Sequence, residues 1–405
     1  MSRFNAPTQY IQLALLIDRQ FPGYVDAYFG PAELKVEAEK SDKASLESLQ
    51  DLASSLEETL SAGPDLAPDR RAFLEEESRA MRTTLQILGG NTPNIVDEVR
   101  LLYGVTPGWV DESVFEEVHH VLNEILPGSE PLTDRVKGFR ERSQVPVKAA
   151  MSIIRQLTEN FRERALHLFG LPQEESCEIS IVSDKPWRAY NWFLGKGRSR
   201  IEFNQDFPME MWNLPIAVAH EIYPGHHTER TIKEKKLYVG EGRLENSIAL
   251  SNTPSSLISE GIAANALLAV ASEGEITKIL VDCYARTRLP RRDAECAWAF
   301  AKANRQLESV VDNQILLLYR DHAPDDEVID YGVRHALTTK EEEIRTLRFF
   351  KDPLSRSYTY NYTLGREMIA AYLDQAKDKD RAFQRLLSEP LTPSQIRGFN
   401  SKPDK

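Results

Sequence analysis

A proline-glycine pair set inside the densest run of histidines is the feature that most restricts this chain. Residues 216–231 read Ile-Ala-Val-Ala-His-Glu-Ile-Tyr-Pro-Gly-His-His-Thr-Glu-Arg-Thr. His220 and Glu221 close a small apolar run, as the first ligand and the general base of a helical H-E-x-x-H site do. In that motif the second histidine follows four residues later, one turn on along the same face. Here that place is Pro224, which neither binds metal nor continues a helix. The next donors are His226 and His227. On an unbroken helix a spacing of six points about 240° away from His220, and a spacing of seven realigns only about 10.5 Å along the axis. A helix over 213–235 therefore works as a metal site only if a Pro-Gly break or a π-bulge shortens that path. Three of the 8 histidines fall within 220–227, so a metal site is expected there, with His226 and His227 both open as second ligand.

Catalytic zinc takes three protein ligands and a water. The best third candidate is Glu260. Thr253 as N-cap and Pro254 at the first helical position predict a helix over 254–272. Within it Glu260 has Leu257, Ile258, Ile262 and Ala263 as neighbours, a setting in which a carboxylate is costly unless paired or metal-bound. One Zn²⁺ ion is the expected cofactor. His119, His120, His167, His322 and His335 lie outside any ligand spacing and read as structural or solvated.

Most of the remaining chain has helical periodicity, over 8–20, 43–62, 67–88, 112–126, 147–169, 274–288, 291–320, 325–337, 339–349, 361–376 and 380–387. Pro/Gly sites at 22–23, 30–31, 63–64, 89–94, 107–108 and 127–128 punctuate it. Between 178 and 204 the pattern becomes β-rich: Glu178–Ser183 and Ser199–Asn204 alternate, Trp187–Phe193 is aromatic, and Gly195–Gly197 signals a turn. The expected fold is mainly α, or α+β with a small antiparallel sheet, its zincin-like core enclosed by helices that form a cleft. A helical N-terminal lobe over 1–140 is expected to pack on a catalytic part over 141–405, with one continuous domain as the alternative. Pro22-Gly-Tyr-Val-Asp26 is echoed by Pro107-Gly-Trp-Val-Asp111, which suggests two similar corners facing one cleft.

Composition narrows the partners. With 50 basic and 62 acidic residues the net charge is −12, which disfavours nucleic acid. No run of 18 apolar residues suggests a membrane helix. The apolar stretch from Tyr10 to Ile17 is short and is interrupted by Gln12, so no leader is expected. Cys177, Cys283 and Cys296 form neither a disulfide framework nor a CxxC pair, which fits a reduced, cytoplasmic protein. Oligomeric state is not readable from the sequence.

The element H-E-x-x-P-G-H-H at 220–227, followed by Glu260-Gly261, resembles the DUF885 proteins, a group placed near the gluzincin metallopeptidases. The segment 22–31 and Tyr362-Thr-Leu-Gly365 are similar to that group as well. The resemblance implies His220, His226 and Glu260 as zinc ligands, with His227 in reserve for His226, and Glu221 as general base. It implies a hydrolase acting on a peptide, or on a small amide or ester. The chain departs from the group's pattern at Ile262 and Glu229, where many members carry Trp and Gln. For the oxyanion donor the Tyr358–Arg366 cluster offers Tyr362 first and Tyr360 next. By analogy with gluzincins, Ile201, Glu202, Phe203 and Asn204 are expected to form the sheet edge that pairs with substrate. Arg366, Arg198 and Arg200 are candidates for a substrate carboxylate. A non-catalytic helical binding protein is the third alternative.

Overall fold

The computed structural model describes residues 5–62 and 66–400; the Gly63-Pro64 break lies outside them. The fold is mainly helical with two small sheets. β1 (Val25–Tyr28) pairs with β5 (Ile248–Leu250) as an antiparallel ribbon. β2 (Ser176–Val182), β3 (Ala189–Gly195) and β4 (Arg198–Asn204) form a sheet in the order β2-β4-β3. β3 and β4 are the expected antiparallel hairpin, turning at Gly195, Lys196 and Gly197, all at positive φ. Glu234 holds that turn by accepting from the Lys196 and Gly197 amides, each at 2.7 Å. β2, however, runs parallel to β4. The sheet is therefore mixed rather than wholly antiparallel: the short connection over 183–188 carries the chain past the place of β4, so β3 becomes the far strand and β4 fills in between, antiparallel to β3 and parallel to β2.

Several helices go beyond the periodicity reading. Ala32–Lys40, Ile95–Tyr103, Leu132–Arg142 and Pro393–Asn400 are helical. Ile95–Tyr103 carries its own start and stop signals: Asn94 accepts from the Asp97 amide, and Gly104 closes it in the left-handed region. The stretch 291–320 divides into Arg291–Leu307 and Val310–Tyr319.

Apolar packing does not divide at residue 140. One cluster joins Tyr10, Leu49, Leu56, Met81 and Leu85 to Ile248 and Leu250. The main cluster takes Val99, Phe115 and Phe139 together with Met211, Ile258, Phe300 and Phe383. Residues 95–139 thus share a core with the C-terminal helices, and the two clusters meet along the helix Pro68–Leu88.

Two contacts in this frame position the helix Pro254–Val270. At its N-terminus, Thr253 and Ser256 make the capping box, and the buried Glu77 accepts from the Ser255 amide at 2.9 Å, from Ser255 Oγ at 3.1 Å and from Tyr10 Oη at 3.1 Å. Along its side, the helix meets Tyr360–Gln375 at two glycines. A Cβ on Gly261 would overlap the Gly365 carbonyl, and one on Gly365 would overlap the Leu257 carbonyl. Only glycine lets these backbones approach so closely.

Replacing Gly365 with alanine is expected to cost about 1–3 kcal/mol of stability through overpacking, read from urea unfolding. A pH effect follows from Glu77. Burial outweighs its hydrogen bonds and raises its carboxyl to about 7 in the folded state, against 4.5 ordinarily. A raised acid contributes stability below its unfolded pKa and loses it as pH rises through the folded value. Glu77→Gln is therefore expected to gain melting temperature relative to wild type as pH is raised from 5 to 8.

Candidate metal centre

The expected helix over 213–235 is two helices, Leu214–Glu221 and His226–Lys233. The first ends where Ile222 leaves helical geometry at φ −119°, ψ −88°. The Tyr223-Pro224 bond is cis. The Gly225 amide then donates to the Ala219 carbonyl at 2.9 Å, folding the chain back over the helix it has just left. A side chain at 225 would drive a Cβ into the His220 carbonyl. The result is that His226, six residues on, faces His220: their rings lie 4.7 Å apart and perpendicular.

Glu260 completes the group. Its Oε2 lies 3.4 Å from His220 Nε2 and 3.7 Å from His226 Nε2. Ligand atoms about 2.0–2.2 Å from a tetrahedral zinc are roughly 3.3–3.6 Å from each other, so the carboxylate oxygen stands near such a spacing from both imidazoles, and all three atoms lie within 4.8 Å of one another. Glu260 Oε2 is buried and has no hydrogen-bond partner, as expected of an atom directed at a common centre. The donor set, two imidazoles and one carboxylate, suits zinc. Electrostatics agree. Burial works against the charge on Glu260, but the imidazoles of His226 and His220 outweigh it and hold the carboxyl well below its usual range. Burial opposes charge on His226 as well, yet Glu260 and Glu221 raise its imidazole to about 9. These carboxylates call for positive charge at this point.

The surroundings orient the ligands. Ser259 Oγ donates to Glu229 Oε2 at 2.6 Å, and Lys233 Nζ holds the other oxygen at 2.5 Å. The single Ser259 proton being so used, His226 Nδ1, 3.3 Å away, acts as the donor to Ser259 Oγ. With Nδ1 donating, Nε2 is the nitrogen that faces His220 and Glu260 and would offer its lone pair once its proton is given up to a metal. Tyr358 Oη donates to Glu260 Oε1 at 3.2 Å. Glu221 is buried beside the group. Burial raises its carboxyl pKa despite the two histidines, and Asn191 Nδ2 fixes its backbone carbonyl at 2.7 Å.

His227 points elsewhere. It is fully buried, with Nδ1 2.8 Å from Ser199 Oγ and Nε2 2.9 Å from Glu175 Oε2. Glu175 also accepts from Tyr223 Oη at 2.5 Å and Arg162 Nε at 2.6 Å. This network ties the helix break to β4, so the adjacent histidine is a brace.

Of the remaining expected residues, Tyr362 opens onto a cleft of about 620 Å³ that also reaches His220, Glu221, His226 and Glu260. Tyr360 does not: it is fully buried and donates to the Asp312 carbonyl at 3.1 Å. Arg366 is tied to the Arg305 carbonyl and to Glu308. Arg200 pairs with Glu202 at 3.1 Å, and Arg198 is exposed on β4. Ile201, Glu202, Phe203 and Asn204 cannot form a pairing edge, because β4 is the central strand with neighbours on both sides. Glu202 accepts from Trp192 Nε1, and Asn204 donates to the Lys185 and Trp187 carbonyls. The strand that borders the cleft is β3, through Ala189, Tyr190 and Asn191.

Residues beyond the sequence reading also meet here. Asp26 accepts from both Tyr190 Oη and Arg230, so the 22–26 corner reaches the cleft wall. Its echo does not face the same cleft: Asp111 caps the helix Glu112–Ile125 and Trp109 lies against Tyr331. Arg230 follows His226 by four residues, a spacing that places both on one helix face.

No protein-family model matches the chain, and no curated protein matches it. Among solved structures it is similar to a chain from Shewanella oneidensis described as "a putative lipoprotein of unknown function", with a TM-score of 0.48 and 13% identity over 99% of this chain and 74% of that one. No single described helix is long and apolar enough to cross a membrane.

His226→Ala is expected to lose stoichiometric zinc, measured by elemental analysis after zinc-replete purification. His227→Ala should retain zinc while losing about 1–3 kcal/mol of stability, because it leaves Glu175 and Ser199 short of a buried partner.

Proposed function

We propose that the protein is a zinc-dependent hydrolase, a peptidase in the first instance, of the kind the DUF885 resemblance implies. The observation that carries this reading is the convergence of His220 Nε2, His226 Nε2 and a partnerless, buried Glu260 Oε2 beside the carboxylate of Glu221, at the wall of a cleft. A bound zinc would supply a Lewis acid that polarises a carbonyl and acidifies water. The protein's own part is to hold and move protons around it. Glu221, its pKa raised by burial, takes a proton from the attacking water and delivers it to the leaving nitrogen. Tyr362 stays protonated: although its ring is open to the cleft, desolvation of its hydroxyl and the carboxylates of Glu260 and Glu221 push its phenol well up. It is thus a hydrogen-bond donor for the developing oxyanion. Tyr358 holds Glu260 in place, and Asp26 holds Arg230 and Tyr190 along the cleft.

Glu221→Gln is expected to keep one zinc per chain and to lose hydrolysis of a peptide library by a factor of about 10² or more. Zinc-free wild-type protein after zinc-replete purification would overturn the reading. Chelation is expected to lower the melting temperature of wild type, since binding to the folded state alone is stabilising.

A further inference from the structure

Two kinds of residue line the cleft. His220, Glu221, His226, Glu260, Asp26, Arg230 and Asp352 are ionisable. Phe21, Pro186, Trp187, Phe349 and Leu354 add apolar and aromatic surface. The aromatic wall on the sheet side is fixed in place. Trp187 packs on Tyr190 at 5.0 Å and on Trp192 at 5.8 Å, while Tyr190 lies 4.6 Å from Trp192. Tyr190 is itself anchored through its hydroxyl to Asp26, and Trp192 through Nε1 to Glu202. Such a wall can meet an apolar group without first ordering itself.

Phe349 lines the same cleft. It lies near the end of the helix Lys340–Phe350, whose Leu347 and Phe350 turn inward to the core. Phe349 is instead 44% exposed, and it shares the cleft with Tyr362 at 40%. An exposed phenylalanine lining the same cleft as a fixed tryptophan-tyrosine stack offers apolar surface to a ligand. Being continuous with the metal centre, it would hold the part of a substrate next to the bond that is cut.

We propose that the aromatic lining of this cleft is a specificity subsite: the preferred substrate is a short peptide carrying a large aromatic side chain beside the scissile bond, received against Trp187 and Phe349. This deepens the hydrolase reading and rests on it for the word substrate; the binding preference itself is measured independently of turnover.

The test uses five tripeptides: Ala-Ala-Ala, Ala-Asp-Ala, and three that place one phenylalanine at each position in turn. Their binding to full-length Glu221→Gln protein is measured by calorimetry, and kcat/KM is measured on wild type. At least one phenylalanine peptide is expected to exceed Ala-Ala-Ala by about tenfold or more in both measurements. In Phe349→Ala and Trp187→Ala that advantage should disappear, through KM rather than kcat. Phe349→Leu, a mild change at an exposed position, should keep part of it and guards against a folding artefact. Equal binding of all five peptides, or a phenylalanine preference that survives in both alanine variants, overturns the proposal. Zinc content and loss of turnover in Glu221→Gln decide the hydrolase reading separately, so the two failures are distinguishable.

Discussion

The contact between Gly225 and the carbonyl of His220 governs the site. Because residue 225 has no side chain, the chain can fold back onto the helix it has just left and donate to the Ala219 carbonyl. This brings a histidine six residues onward to face His220, where a regular helix would need one four residues onward. The network of His227, Glu175, Tyr223 and Arg162 then pins the break to the sheet. Without that reversal the second imidazole would point about 240° away, and Glu260 would face only one histidine.

A second glycine contact sets the place of Glu260. Where Gly261 and Gly365 let two helices touch backbone to backbone, Glu260 and Tyr358 come within hydrogen-bond reach. The glycines that follow Glu260 and Leu364 in sequence are thus explained by packing, while the neighbouring side chains carry the chemistry.

What could be read from the sequence followed from chemistry that is local. The mainly helical fold, the start at Thr253-Pro254 and the hairpin turn at Gly195–Gly197 depend on neighbouring residues, and the structure has them all. That Pro224 forbids a plain helix was equally local, and the two-helix geometry is its outcome. Choosing between His226 and His227 was not, because both are near the break and only contacts with Ser199, Glu175 and Ser259 distinguish them. The misplaced residues share a cause. Tyr360, Arg366 and Ile201–Asn204 have suitable chemistry, but strand order and helix rotation turn them toward Asp312, Glu308 and neighbouring strands. Asp26 had no spacing to betray it, since its partners Tyr190 and Arg230 are remote in sequence. Residues 95–139 could not be assigned to a core from periodicity, which shows that a face is buried but not against what.

The β1–β5 ribbon has a consequence for how the chain assembles. Its first strand ends by Tyr28 and its partner begins only at Ile248, so pairing closes a loop spanning more than half the sequence. Such closure carries a high entropic cost and slows folding. During synthesis the N-terminal strand emerges long before its partner, and Asp26 cannot take its place beside Arg230 until that partner exists. The cleft wall is therefore among the last parts to become native, and a nascent chain carries His220, His226 and Glu260 together only after more than half of its length has been made.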